Sequence, residues 1–247
     1  MYNSLKVMDM ERIQKIIANR GYCSRRKAEE YILQGKVRLN GEVVRELGTL
    51  AQNSDIIEVN GDIVKKEDKE YVLLYKPRGV ITSTSDDKKR KTVVDIVKSK
   101  KRLYPVGRLD YDTSGLLLLT NDGELTNSLI HPKNEIEKMY VAKVKGFVSK
   151  DDIKSLCRGV IIDGYKTAPA KAKLKKYDKS TNSSIVELTI HEGKNHQVKK
   201  MFNVLGYDVL KLKRETFAFL NLNGLKSGEY RNLTPKEVKI LYSLIKK

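Results

Sequence analysis

The sequence predicts an α+β fold built from two unequal parts. Short apolar segments with a period of two, set off by Asn-Gly and Asn-Asp-Gly turns, predict antiparallel strands. Segments with helical periodicity and their own N-caps fall between them. One charged, apolar-poor stretch, Lys65-Lys-Glu-Asp-Lys-Glu70, divides the chain as a linker.

In the first part, residues 11–64, Ile13, Ile16 and Ile17 share a helical face, and Gly21 closes that helix. Ser24 is the candidate N-cap of a second helix, Arg25-Arg-Lys-Ala-Glu-Glu-Tyr-Ile-Leu33. Its Ala28, Tyr31 and Ile32 repeat at i, i+3 and i+4 before Gly35 ends it. Val37-Arg-Leu39 and Glu42-Val-Val44 flank Asn40-Gly41, a hairpin signal because both turn residues tolerate positive φ. A second such turn, Asn60-Gly61, joins Ile56-Ile-Glu-Val59 to Ile63-Val64.

The second part, residues 71–247, is richer in strands. Tyr71-Val-Leu-Leu-Tyr75 predicts a buried strand ended by Pro77, and Leu116-Leu-Leu-Leu119 another, stopped by Asn121-Asp-Gly123. Lys138-Met-Tyr-Val-Ala-Lys-Val144 and Ser184-Ile-Val-Glu-Leu-Thr-Ile190 alternate as half-buried strands do. Ser149-Lys-Asp-Asp152 and Thr234-Pro-Lys-Glu237 fit capping boxes, the second with proline at N1. Val198, Met201, Phe202 and Leu205 share a helical face that Gly206 terminates. The sum is a mostly antiparallel sheet with helices packed on it.

Charge narrows the function. The 247 residues carry 49 Lys and Arg against 31 Asp and Glu, a net charge of +18. Such an excess favours a polyanionic partner, nucleic acid first, because each neutralised phosphate releases condensed counterions. The longest apolar runs are too short to span a bilayer, so no membrane is expected. The first ten residues lack the apolar core of a signal peptide. Cys23 and Cys157 form no CxxC, which favours a reducing cytoplasm, and His131, His191 and His196 form no HExxH; no metal site is expected. The motifs GxxxxGK(S/T), GxGxxG and GxSxG are missing, which removes the P-loop, dinucleotide-fold and serine-hydrolase readings. Carboxylates, tyrosines and basic side chains remain as candidate reagents.

Two groups of residues stand out. The first part gathers Arg12, Arg25, Arg26, Lys27, Lys36 and Arg38, with Lys15 and Arg20 nearby. Three of them sit at a helix start, where backbone N–H groups also favour phosphate. In the second part, the run Gly107-Arg-Leu-Asp-Tyr-Asp-Thr-Ser-Gly-Leu-Leu-Leu-Leu-Thr-Asn-Asp-Gly123 sets the Asp110 carboxylate and the Arg108 guanidinium in a glycine-flanked loop before a buried strand. Loops on a rigid scaffold are where catalytic groups concentrate. Taken alone, such an aspartate is more readily a turn residue making an Asx bond, and Asp112 is a rival carboxylate. Thr113 and Ser114 read as turn residues.

Arg25-Arg-Lys-Ala28 with Gly35-Lys-Val-Arg-Leu-Asn-Gly41 resembles the S4 (αL-type) RNA-binding domain. Four further segments resemble the RsuA/RluB family of pseudouridine synthases: Tyr75-Lys-Pro-Arg-Gly-Val-Ile-Thr82, the run 107–123, Glu137-Lys-Met-Tyr140, and Ile190-His-Glu-Gly-Lys-Asn-His-Gln-Val-Lys-Lys-Met201. The likeness spans nearly the whole chain. It implies an S4 domain at 11–64, a linker at 65–70 and a catalytic domain at 71–247. It also implies isomerisation of a uridine to pseudouridine in ribosomal RNA, by base flipping and without cofactor, metal or nucleotide. The implied partner is ribosomal RNA, as a stem-loop or in an assembling subunit, bound by a cytoplasmic monomer. Within the family the likeness favours the branch acting on 23S rRNA, with the 16S branch as the alternative. The rival from another class is a non-catalytic rRNA-binding or ribosome-assembly factor.

The resemblance also implies roles. Asp110 matches the catalytic aspartate. The reaction breaks the N1–C1′ bond, rotates the base and joins C1′ to C5; a carboxylate suits it as nucleophile, or as stabiliser of a positive C1′ and later proton acceptor. Arg108 matches an arginine that fills the space left by the flipped base, a task suited to a planar guanidinium. Tyr140 matches the active-site tyrosine, which stacks on uracil and helps remove the C5 proton. Lys199 falls where an Arg or Lys pairs with the aspartate and keeps it ionised. The segment here reads His196-Gln-Val-Lys-Lys200, where the 23S branch carries arginines, and lysine lacks their bidentate fork.

Overall fold

The computed structural model describes residues 10–245, so the expectation about a signal peptide lies almost wholly outside the described residues. The chain forms two compact units. One holds the residues up to Glu70 together with Ser99–Arg102; the other holds Tyr71–Lys98 and Leu103–Lys247.

The first unit runs β1 (Met10–Arg12), α1 (Ile13–Asn19), α2 (Arg25–Leu33), β2 (Val37–Leu39), β3 (Glu42–Val44), β4 (Leu50–Gln52), β5 (Ile57–Val59) and β6 (Asp62–Ile63). The strands form a four-stranded sheet in the order β3-β2-β5-β6 and a separate β1-β4 pair. Ser24 caps α2 by accepting the Lys27 N–H at 3.1 Å. Asn40 and Gly41 take φ of 50° and 91°, as the predicted tight hairpin needs. Ile13, Ile16, Ile17, Ala28 and Ile32 of the two helices are fully buried with Val37, Ile57 and Val59 of the sheet. Arg20 departs from the solvent-facing cluster in which the sequence placed it. Its guanidinium donates to the carbonyls of Asn53, Asp55 and Val64 at 2.9–3.0 Å, closing the unit on itself.

The second unit runs β7 (Tyr71–Lys76), α3 (Val93–Ile96), β8 (Tyr104–Pro105), β9 (Ser114–Thr120), α4 (Gly123–Ile130), β10 (Lys138–Lys145), α5 (Lys150–Arg158), β11 (Ile161–Ile162), β12 (Tyr165–Lys166), β13 (Lys171–Asp178), β14 (Ser183–Ile190), α6 (Gln197–Asn203), β15 (Val209–Phe217), β16 (Leu220–Asn221), β17 (Tyr230–Asn232) and α7 (Pro235–Ser243). Its main sheet has the order β13-β14-β10-β15-β9-β7-β17. Every neighbouring pair along that order is antiparallel except β15 and β9. Leu116 to Leu119 of β9 are all buried, because helices cover both faces of the sheet. Leu116 and Leu118 join Leu73, Leu125, Leu129 and Leu241 on one side. Leu117 and Leu119 join Val72, Leu74, Leu156, Met201 and Phe202 on the other. Each such leucine contributes about 1.5–3 kcal/mol of burial.

Both predicted capping boxes form, at Ser149/Asp152 and Thr234/Glu237. Two local expectations change. Ser114 opens β9 instead of completing a turn. Asp122 does more than stop that strand: its carboxylate accepts the Leu125 N–H at 3.2 Å and caps α4.

The parallel seam is narrow. Lys213 pairs with Ser114, and Arg214 with Gly115. Gly115 has φ of 121°, and a Cβ there would lie 2.5 Å from the Arg214 nitrogen and closer still to its carbonyl oxygen. Only glycine permits this approach. The seam brings the loop before β9 alongside β15, and thereby to β10 and α6.

Candidate active site

The loop 107–113 is held from below by the segment that follows β7. Lys76, fully buried at the end of that strand, donates to the carbonyls of Pro77 (3.1 Å), Asp110 (3.0 Å) and Thr113 (2.8 Å). Thr82 donates to the Leu109 carbonyl at 2.6 Å, the Arg78 Nε to the Asp112 carbonyl at 2.9 Å, and the Gly79 N–H to the Tyr111 carbonyl at 2.7 Å. These bonds fix the backbone on both sides of Asp110. Burial draws the Lys76 pKa down to about 8, with the charges of Asp110 and Asp112 opposing the shift.

The Asp110 side chain is partly exposed and faces the start of α6. Lys199 Nζ lies 3.1 Å from its Oδ2, and His196 Nε2 lies 3.5 Å from its Oδ1. The same ammonium reaches Asp112 Oδ1 at 2.6 Å. One lysine with three donors thus bridges two carboxylates, a geometry different from a bidentate fork. Burial pulls the Lys199 pKa down, but the hydrogen bonds and charges of Asp112 and Asp110 outweigh it and leave the ammonium above its ordinary value. The Lys199 hydrogen bond holds the Asp112 carboxyl below the usual range. His196 reaches Asp110 because its own backbone is left-handed, φ 53°, at the N-cap of α6.

Asp110, Arg108, Tyr140, His196 and Lys199 line one cleft of about 450 Å³. Tyr140 comes from β10, where it is 8 % exposed and packs against the core. Arg108 is exposed at the rim. All four residues predicted for the second part therefore meet in one place. Arg12, Arg25, Arg26, Lys27, Lys36 and Arg38 are exposed side chains of the first unit. Lys27 pairs with Glu30 at 2.7 Å, Arg38 donates to the Gly41 carbonyl at 3.0 Å, and Lys36 lies 5.9 Å from the Tyr31 ring centre. No carboxylate pairs with Arg12, Arg25 or Arg26 among the described residues.

Sequence reasoning missed Lys76 and Thr82 as supports and His196 as a neighbour of Asp110. A lysine directly after Val72-Leu-Leu-Tyr75 reads as a strand emerging into water; its position just before Pro77 was the available signal. Among the described residues no cluster of His, Cys, Asp and Glu could hold a metal ion, and no helix is long and apolar enough to cross a membrane.

Comparison with known proteins decides the family. The family model described as RNA pseudouridylate synthase matches residues 70–204, which include every element that lines the cleft except the β15 strand. The chain belongs to the RNA pseudouridylate synthase family. The S4 domain model matches residues 11–57 ahead of it. The chain is 60 % identical to the ribosomal large subunit pseudouridine synthase B of Bacillus subtilis, over 95 % of this chain and 97 % of that one. It is 37 % identical to the dual-specificity RNA pseudouridine synthase RluF of Escherichia coli K12, over 95 % of this chain and 79 % of the relative. A crystal structure of a pseudouridylate synthase superposes with a TM-score of 0.68 at 33 % identity, covering 93 % of this chain and 99 % of the other. This pseudouridine synthase thus combines an S4 domain with an α+β synthase domain built on a mostly antiparallel sheet.

Proposed function

We propose that this synthase isomerises one uridine of large-subunit ribosomal RNA, with Asp110 as the reactive carboxylate. The observation that carries the reading is the pairing of Asp110 with Lys199 in a cleft that Tyr140 walls. Full-length identity to the Bacillus large-subunit enzyme supports the substrate class. In this reading the uridine leaves its stack and enters the cleft, at a cost of a few kcal/mol for a base in a duplex. Arg108, at the rim, takes the vacated place and contacts phosphate. The N1–C1′ bond breaks, the base turns, C5 bonds to C1′, and the C5 proton leaves as N1 gains one. Asp110 acts on C1′ or on the base, Lys199 holds and aims its carboxylate, and Tyr140 stacks on uracil near the departing proton. The first unit, over 11–64, recruits the RNA through Arg12, Arg25, Arg26, Lys27, Lys36 and Arg38. The linker at 65–70 leads into the catalytic domain at 71–247, and the protein works in the cytoplasm as a monomer.

Three cations at the start of α2 oppose the helix dipole. A bound phosphate reverses that penalty, which supports RNA as the partner of this face. The deciding experiment follows tritium release from 5-tritiated uridine in rRNA fragments of both subunits, without metal or nucleotide. Release from a 23S fragment is expected, and Asp110→Asn should bind the same fragment and release nothing. Release from 16S fragments alone moves the substrate to the small subunit. Silence from every fragment and ribosomal precursor leaves a binding factor.

A further inference from the structure

A second cavity, of about 780 Å³, adjoins the Asp110 cleft and shares Arg108, Tyr140, Gly193 and Lys194 with it. Two cations from neighbouring strands line it. Arg214 of β15 is 2 % exposed; its Nε donates to the Leu116 carbonyl at 2.8 Å, and its Nη2 is shielded from water with no hydrogen-bond partner. Lys138 of β10 is half-buried and donates to two carbonyls, Ile136 at 3.0 Å and His191 at 3.2 Å.

Neither cation pairs with a carboxylate among the described residues. Glu192, the carboxylate that lines this cavity, already accepts the Ala168 N–H at 3.0 Å and the Gln197 amide. The Phe217 ring, 5.3 Å from the Arg214 guanidinium and 5.9 Å from the Lys138 ammonium, offsets only part of the charge. Burial, and then the Arg214 charge, draw the Lys138 pKa down to about 8, with the Glu192 charge opposing the shift. Two like charges on the wall of one cavity, with no carboxylate hydrogen-bonded to either, are costly. Such an arrangement is relieved by an anion that arrives with the ligand.

We propose that this cavity is a phosphate subsite, in which Arg214 and Lys138 hold a phosphodiester of the strand whose uridine occupies the Asp110 cleft. The inference rests on reading that cleft as the uridine site. The four shared lining residues set the two cavities side by side, so base and backbone of one strand can reach both. Nη2 is a donor that no protein group uses, which a small turn of the guanidinium offers to a phosphate oxygen, and Lys138 adds a point charge. Arg108 and Lys194 add positive charge where the cavities meet.

The test uses the full chain, and binding is read without turnover. A fluorescently labelled pentauridylate is titrated by anisotropy between about 50 and 200 mM KCl. Lys138→Met keeps an unbranched stem and removes the charge. It should weaken binding several-fold and flatten the log K against log[KCl] slope by about 0.7, the value for one neutralised phosphate on a single strand. A single methylphosphonate moved along the pentauridylate should weaken wild type at one linkage, and Lys138→Met should ignore that same change. Arg25→Ala, in the first unit, should stay sensitive to it. Arg214→Met serves as a second variant if its thermal melt matches wild type. Equal sensitivity of wild type and Lys138→Met at every linkage overturns the subsite, as does the absence of pentauridylate binding at the lowest salt. Displacement of the label by inorganic phosphate alone, with no linkage effect, overturns the RNA assignment in favour of a free-phosphate site. If the linkage effect holds while tritium release fails, the subsite stands and the synthase reading of the substrate falls.

Discussion

Lys76 shows how a single side chain sets the position of a reacting group without touching it. A charged ammonium supplies three N–H donors and a neutral amine two, and Lys76 has three carbonyl partners. With its pKa drawn down to about 8, turnover should decline as pH rises through that value. Lys76→Met should lose the limb and lower kcat at neutral pH by up to about 100-fold, the cost of a small misplacement. Stability runs the other way. Between the folded value near 8 and the ordinary 10.5, the unfolded chain binds more protons, so the Lys76 contribution to folding improves as pH rises. Rate and urea-unfolding profiles measured on one preparation check both signs. At this scale the sequence made Asp110, Arg108, Tyr140 and Lys199 legible through motif position. Arg20 and Lys76 were not, because a long cation buried on backbone carbonyls leaves no periodic trace.

Many elements bounded by caps and tight turns were readable, the capped α3 and α4 excepted, and some without such signals were not. α7 illustrates the first kind. Thr234 caps it, and Arg231 from β17 grips Glu237 through both guanidinium nitrogens at 2.7 and 2.9 Å. Thr234→Ala should cost about 1 kcal/mol in urea unfolding at neutral pH. The Arg231 hydrogen bond draws the Glu237 pKa from 4.5 to about 2. Its stabilisation is therefore complete above 4.5 and is lost as pH falls toward 2. The advantage of wild type over Glu237→Gln should shrink across that window in acid-unfolding curves. β13 and β15 illustrate the second kind. β13 is a lysine-rich edge strand, where charge protects an open edge but blurs the apolar alternation. In β15 the alternation is interrupted by irregular pairing with β10.

For the whole molecule, most of the sequence-independent affinity is expected to reside in the first unit and the chemistry in the second. The triple change Arg25→Ala, Arg26→Ala, Lys27→Ala should weaken binding to all rRNA fragments alike, flattening the salt slope by about 0.7–0.9 for each phosphate left unneutralised. The rate of tritium release at saturating RNA should stay unchanged. Filter binding across KCl concentrations, paired with single-turnover release, separates the two. The charged stretch 65–70 ends where the two compact units divide, between Glu70 and Tyr71. The return of Ser99–Arg102 to the first unit was not legible, since pairing across tens of residues leaves no local signature.

The Gly115 seam gives the synthase unit a folding history. Strands β7, β9 and β17 make one half of the main sheet and β13, β14, β10 and β15 the other, joined by the short β9–β15 ladder. Within the second half β13 and β14 pair across a short turn, and β10 joins β14 and β15 over roughly 40–80 residues. The ladder closes a loop of about a hundred residues and the β7–β17 pairing one of about 160, the slower events. Asp110 precedes β9 in one half; Tyr140 and Lys199 belong to the other. The cleft therefore exists only after the halves have docked. Gly115→Ala should leave amide protons of β13 and β14 slow to exchange while those of β9 and β15 exchange early, with uridine turnover lost. A misassembled synthase would then still hold RNA through its first unit yet be unable to modify it, so turnover itself reports that this seam has closed.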